Sequence, residues 1–484
     1  MGGDECKVGV GEKVFRVAAT ELPADLETPV SAYLKLRGVG AKFLLESAES
    51  VDRLGRYSFI GFGSERSLFA DEKRVVYQDK EQETVSERDP LDVLRAILKS
   101  TIVKGGEDLP SLLGGAVGFV AYDYVRRLEK IPCRHKREQS FGVCEFSFVE
   151  SLVVFDHLMR RMTVYSLVPE TDSDTPEIHN DIVNALEIPL VHRRTKRNRR
   201  LEFESNTSAE EYCEMVEKAK QYIRQGDCFQ IVLSRRVKAE FDGDGFEVYR
   251  RLRMSNPSPY MFYFEDGKRK IIGSSPEMLV RLTGKRAFIS PIAGTRPRGK
   301  SRKENGALMD ELLSNEKENA EHIMLVDLAR NDLGRVCKYG SVKVESLRRI
   351  EHYSYLMHIV SDVEGELQEG CDQFDLFRAG FPAGTVTGAP KVRAMEIIDE
   401  LEKEDRGLYA GAVGYFTPSG DTDTCIAIRM VVIDGESAYL QAGAGIVADS
   451  EPIKEFEETE NKMKALKVAL ETSSGGKSDD IGSR

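Results

Sequence analysis

The segment from Ser208 to Phe241 limits the fold more than any other stretch of the chain. Ser208-Ala-Glu-Glu211 is a capping-box pattern, in which the serine and the glutamate three residues on satisfy each other's backbone N–H groups. Tyr212, Met215, Val216, Ala219, Tyr222 and Ile223 recur at helical spacing, and Gly226 supplies a stop. This helix feeds "CFQIVLSRRVKAEF", which reads as a strand. Alternation puts Phe229, Ile231, Leu233 and Val237 on one face, read as core, and Gln230, Val232, Ser234 and Arg236 on the other, available to a site.

Length allows a large core, or two or three domains of ordinary size, within 484 residues. With 41% hydrophobic and 31% charged residues, no long apolar span and no signal-like N-terminus, the expectation is a globular cytoplasmic protein. A net charge of −12 weighs against nucleic acid or anionic membrane as partners, since both need clustered Lys and Arg. A small-molecule ligand fits better. The eight cysteines show no C-x-x-C pair and the seven histidines no H-E-x-x-H, so any metal should be held by oxygen.

Short apolar runs at Lys42–Leu45, Ser58–Phe62 and Phe148–Phe155, broken by Gly, Asp and Arg, predict a strand-rich region over 1–191. The run "HRRTKRNRR", 192–200, reads as a solvated linker, with contact to a polyanion or a partner as the alternative. Long helices alternate with strands over 201–472. The last residues, 473–484, carry no periodicity and predict a disordered tail.

Several constellations could carry chemistry. On the helix predicted for "NEKENAEHIMLVDLARNDLGRV", Glu318, Glu321, Leu325 and Leu328 share one face, so two carboxylates continue an apolar stripe. They either bind a cation or sit where the stripe surfaces near the helix N-terminus. Near the C-terminus Glu455, Glu458, Lys462 and Leu466 repeat the arrangement, as a site or as a solvated helix with an i, i+4 ion pair. Carboxylates without His or Cys suit Mg²⁺, which keeps waters and takes one or two protein carboxylates plus a substrate anion.

"FPAGTVTGAPK" is a glycine-rich turn carrying Thr385 and Thr387 into a helix whose N-terminus could hold an anion. "QAGAGIVADS" is a second such loop, where Gly443 and Gly445 permit close backbone approach or merely form a bulge. "SPIAGTRPRGKS" reads as a strand that exits into a Gly-Thr-Arg loop, suited to a carboxylate or serving only as an exit. Arg429, in the apolar strand "CIAIRMVVI", needs a carboxylate or a ligand. His358 lies in an apolar run, as a satisfied core residue or a site residue, and Glu277 follows Pro276 at a strand–loop junction where a general acid could stand.

Eight stretches occur in order: "FQIVLSRR", "GSSPEML", "PIAGTRPRG", "EHIMLVDLARNDLGRV", "HIVSDVEG", "PAGTVTGAPKVRAMEIIDELE", "CIAIR" and "AGAGIVADSEPIKEFEETENK". Together they resemble the chorismate-utilising enzymes over about Phe203 to Leu470, and within them the branch that makes anthranilate. "FLLESAES" and "GRYSFIGFG" resemble that branch's tryptophan-binding regulatory region.

The resemblance implies an α+β fold of large antiparallel sheets flanked by helices, with the N-terminal region interlaced with the catalytic one. It implies that Glu321 and Glu458 bind Mg²⁺, with Glu318 and Glu455 linked to it through water. Arg429, Tyr409, Lys462, Thr295 and the backbone around Gly294, Gly443, Ala444 and Gly445 would hold substrate. Glu277 would protonate the departing 4-hydroxyl, His358 would assist loss of pyruvate, and Thr385 would contact substrate.

Ala293 stands where the aminodeoxychorismate-forming sister branch carries a nucleophilic Lys. Gln230 stands where the water-adding branches carry a Lys. Ammonia is therefore the implied nucleophile, added at C2. No cysteine lies in a G-x-C-x-G elbow, so a separate glutamine amidotransferase subunit would supply the ammonia, giving a hetero-oligomer. Tryptophan is implied as an inhibitor at Glu46, Ser47, Pro259, Tyr260 and Met261. Asp362 departs from an Arg common in relatives, which puts a contact near His358 in question. The alternatives are aminodeoxychorismate synthesis and an idle tryptophan sensor.

Overall fold

The computed structural model describes residues 11–47, 55–80, 83–105, 109–135, 141–190, 199–299, 301–352 and 356–474, apart from the side chains at 295, 297, 317, 352 and 356. Two large sheets form the frame, one of 13 described strands and one of 12. Every strand pairing described is antiparallel except that of Lys13–Pro23 with Thr101–Val103. Helices flank the sheets, as the resemblance implies for the fold.

Neither sheet belongs to one half of the chain. In the larger, the N-terminal strand Ala41–Glu46 pairs with Tyr260–Asp266, with Met261 opposite Glu46. In the smaller, Ala116–Val120 pairs with Ala412–Phe416. The sheets also pack face to face: Phe119, Val413 and Cys425 of one share an apolar cluster with Phe262, Ile271 and Val432 of the other. The halves of the chain are thus interlaced by backbone hydrogen bonds and by core.

The Ser208 capping box is present, with Glu211 N donating to Ser208 Oγ at 3.2 Å and Ser208 N to Glu211 Oε2 at 2.8 Å. Its helix spans Ala209–Gln225 and leads into the strand Gln230–Glu240. Phe229 does not join that strand and is 74% exposed, because Gln230 pairs with Ala389 and Ile231 with both Gly388 and Ile446, leaving Phe229 beyond the edge of the ladder.

Two apolar runs read as single strands are each divided between sheets. Phe148–Phe155 covers the end of Cys144–Phe148 and most of Ser151–Asp156, which lie in different sheets. "CIAIRMVVI" likewise holds the end of Thr422–Ile426 of the smaller sheet and most of Met430–Asp434 of the larger. A sandwich crossover is apolar on both sides, so hydropathy does not mark it.

The basic run lies outside the described residues except for Arg199 and Arg200, and the expected tail except for Ser473 and Ser474. Those remaining ends meet: Arg199 N donates to Glu471 O at 3.2 Å, and buried Ser474 donates through Oγ to Arg199 O at 3.4 Å.

Candidate active site

A cavity of about 630 Å³ opens where the two sheets meet two helices. Gln230 and Val232 on one strand and Gln441, Gly443 and Gly445 on its neighbour, Ser437–Ile446, form one wall. Ala293 and Gly294 from Ile292–Pro297, with His358 from Leu356–Glu366, form the facing wall. The helix Glu316–Gly334 contributes Glu318, Glu321 and Leu325, and the helix Pro452–Glu471 contributes Glu455, Glu458, Asn461 and Lys462. Glu277, Thr385, Tyr409 and Arg429 complete it.

Glu277 sits where the chain leaves Arg269–Ser275 of the larger sheet for Met278–Thr283 of the smaller. Burial, the dominant influence, pushes its pKa up to about 8, against the smaller opposing effects of Thr385 and Lys462. The carboxyl is therefore largely protonated at neutral pH and can give a proton. Thr385 Oγ1 lies near enough to favour the ionised form, yet it is buried without reaching hydrogen-bonding geometry with any partner.

His358 is buried, and desolvation lowers its pKa, so it is neutral at pH 7. Its Nδ1 lies 3.3 Å from Gly294 O. A carbonyl only accepts, so Nδ1 carries the proton and Nε2 is the basic nitrogen. Gly294 has φ +64° at a bulge in its strand, and a β-carbon there would lie 3.1 Å from Glu318 Oε2. The Gly-Thr-Arg segment is therefore strand, not the expected loop. Arg296 is committed to Glu311 at 2.7 Å and Glu318 at 3.0 Å rather than presented to a ligand.

Arg429 occupies the return crossover between the sheets with φ +53°, a conformation unusual for a side chain larger than glycine. Its Nη1 donates to Lys462 O at 3.3 Å, and no carboxylate lies within ion-pair distance among the described residues. Burial lowers its pKa. A desolvated guanidinium without a carboxylate is suited to an anionic ligand. Tyr409 is buried, its pKa pushed up to about 12 by burial.

Glu318, Glu321, Glu455 and Glu458 all line this cavity. Glu458 pairs with Lys462 at 2.6 Å, and Lys462 also donates to Gly443 O at 2.8 Å. Glu318 pairs with Arg296. Glu321 accepts from the neutral amide of Gln230 at 2.9 Å. Among the described residues no three acidic, His or Cys side chains gather closely enough to hold a metal alone. This donor set fits a Mg²⁺ ion whose shell is completed by water and a substrate anion, and not a closed protein cage.

Gly443 and Gly445 lie within a strand rather than in the expected loop. A β-carbon at 443 would stand 2.7 Å from Leu233 O, so the cavity wall needs glycine there, while one at 445 would stand 2.7 Å from Gln230 Nε2 and displace that side chain. Ala444 points to the other face and packs in the core with Leu233 and Ala394. The Thr295 side chain lies outside the described residues, though its backbone pairs with His358.

Thr387 turns its hydroxyl to Ala383 O at 2.9 Å, and the helix that begins at Lys391 does not line the cavity. Asp362 is satisfied by Arg349 and by Ser290 at 3.0 Å, away from the cavity. Gln441 and Asn461 were not anticipated. Period-two spacing from Gly443 and i, i+3 spacing from Glu458 would have found them.

A separate cavity of about 80 Å³ is lined by Glu46, Ser47, Pro259, Tyr260 and Met261, bringing together residues more than 200 positions apart in sequence. Tyr260 OH donates to Asp423 Oδ1 at 2.9 Å on its floor, and Arg253 holds Glu46 at 2.9 Å.

A buried carboxyl protonated at neutral pH, a neutral histidine and a guanidinium with no ion-paired carboxylate among the described residues line one polar cavity between two interlaced sheets, an arrangement suited to a small anionic ligand. The chain belongs to the chorismate binding enzyme family, whose profile matches residues 40–468. It is 46% identical to anthranilate synthase component 1 of Aquifex aeolicus over 93% of this chain and 94% of that one. The crystal structure of anthranilate synthase component I from Streptococcus pneumoniae superposes with a TM-score of 0.78 at 36% identity, covering 92% of this chain and 99% of the other. A menaquinone-specific isochorismate synthase from Escherichia coli shares the fold, with a TM-score of 0.69 at 19% identity over 95% of this chain and 96% of its own. Among the described residues no helix is long and apolar enough to cross a membrane.

Proposed function

We propose that this chain is the chorismate-binding component of an anthranilate synthase, adding ammonia to C2 of chorismate, expelling the 4-hydroxyl and then eliminating pyruvate. One observation carries the choice among related reactions: among the described residues the cavity offers no lysine nucleophile. Ala293 and Gln230 stand at the two positions in question, and Lys462, the one lining lysine among the described residues, is held by Glu458 and Gly443 O. Ammonia must then enter as a substrate, which supports a partner glutamine amidotransferase.

In this reading Arg429, Tyr409 and the backbone near Gly443 and Gly445 orient the substrate carboxylates. Glu277 donates its proton to the 4-hydroxyl, which departs as water while nitrogen bonds to C2. His358 Nε2 then takes the C2 proton as the enolpyruvyl oxygen leaves and the ring becomes aromatic. Glu321 and Glu458 would hold Mg²⁺ directly, with Glu318 and Glu455 through water, and the ion would neutralise the ring carboxylate. The smaller cavity at Glu46 and Met261 is read as the site through which tryptophan inhibits. Purified protein given chorismate, Mg²⁺ and ammonium should form anthranilate and pyruvate in equal amounts, suppressed by tryptophan. Consumption of chorismate without either product would overturn the assignment.

A further inference from the structure

Glu277 also borders a second space that the steps above leave unused. With Thr385 and Leu325 it lines a chamber of about 30 Å³ whose other walls include the apolar side chains of Leu328 and Ala329 and the carboxylate residue Asp332. That volume admits roughly one or two waters, which need polar partners to stay. Its polar side chains among the described residues are those of Glu277, Thr385 and Asp332.

Two observations point to an occupant and to a route. Thr385 Oγ1, beside the Glu277 carboxyl, is buried and short of hydrogen-bonding geometry with any protein group, a state that an ordered water relieves. Asp332, itself buried, accepts from Lys391 Nζ at 3.0 Å, and the Lys391 side chain is 15% exposed, so the pair reaches solvent. Lys391 and Arg335 are the charged groups acting on Asp332, whose pKa is raised chiefly by burial, and Lys462 is the one acting on Glu277.

We propose that a water in this chamber links Glu277 to the Asp332–Lys391 pair and returns the proton that Glu277 spends on the leaving hydroxyl. The proposal rests on Glu277 being the acid in chorismate amination. In each turnover the Glu277 O–H bond breaks and its proton leaves with the C4 oxygen as water. The carboxylate regains a proton from the chamber water. That water is recharged from the Lys391 ammonium through the Asp332 carboxylate, and Lys391 recovers the proton from solvent. The proton shed by the newly bonded nitrogen goes to solvent, so charge balances. Asp332 is thus a positioning residue that acts through Glu277 without touching substrate.

The test uses the full chain with chorismate, Mg²⁺ and ammonium, and compares Asp332→Asn with Ala329→Val. The second fills the chamber without altering any charge, and it decides the matter alone if the first does not fold. Expected in both is a kcat about ten- to a hundredfold lower, with unchanged KM for chorismate and ammonium and a larger solvent deuterium isotope effect on kcat. Wild-type kcat and isotope effect in Ala329→Val would overturn the relay, as would a loss of kcat with altered KM and an unchanged isotope effect. A wild-type protein that makes no anthranilate would instead overturn the reading of the site beneath it.

Discussion

Glu277 and Arg429 stand at the two crossings between the sheets, and these crossings are tied to each other's strands. Ile426 N donates to Glu277 O at 3.0 Å, and Ser274 N donates to Arg429 O at 3.1 Å. An acid and a cation are thereby fixed on neighbouring backbone turns in the wall of one cavity. Positions inside a regular strand could not do this, since their side chains alternate between faces at a fixed period.

Glu277→Gln should lower kcat by about 10² to 10⁴ with little change in chorismate KM, read by anthranilate fluorescence. Stability should move the other way. The folded pKa, about 8, is above the ordinary carboxyl value, so wild-type stability is lost as pH rises from about 4.5 through 8. Glutamine has no such dependence, so urea midpoints of the variant should gain on wild type as pH rises across that window.

Glu321→Gln should raise the Mg²⁺ concentration needed for half-maximal activity by about 10- to 100-fold, and chelation should abolish wild-type turnover reversibly. An unchanged Mg²⁺ requirement would remove Glu321 from the ligand set.

Ala293→Lys places an amine in the cavity wall. Anthranilate formation from ammonium should fall, and intact mass spectrometry after exposure to chorismate should show a covalent adduct absent from wild type. Full ammonium-dependent activity with no adduct would mean that the residue at 293 does not select the nucleophile.

Ser47→Phe should fill the smaller cavity beside Glu46 and Met261. Basal turnover should be kept while the tryptophan concentration for half-inhibition rises at least about tenfold, the equivalent of roughly 1.4 kcal/mol of binding. Parallel loss of turnover and inhibition would indicate general damage.

Arg406 is a stability prediction. Its guanidinium, 1% exposed, pairs with Glu402 at 2.6 Å and donates to Val232 O and Val386 O at 2.6 Å each. Arg406→Leu should cost about 3–5 kcal/mol in urea unfolding by leaving Glu402 buried and unpaired. Adding Glu402→Leu should recover part of that loss.

Local chemistry was legible without coordinates wherever it was carried within one element. The Ser208–Glu211 capping box, the carboxylates of Glu318 and Glu321 on one helix face, and those of Glu455 and Glu458 on another follow from helical period alone. What joined them followed only from tertiary structure. Hydropathy could not show that "CIAIRMVVI" changes sheets at Arg429, because both flanks are equally buried. Nor could it show that "AGTRP" stays in a bulged strand, since the bulge depends on pairing with Leu356–Glu366 some 60 residues away. The sequence by itself determined which residue types share a helix or strand face, through repeats of 3.6 and 2. Only the tertiary structure decided which faces meet, and with that the burial that leaves Glu277 protonated, His358 neutral and Arg429 without an ion-paired carboxylate among the described residues.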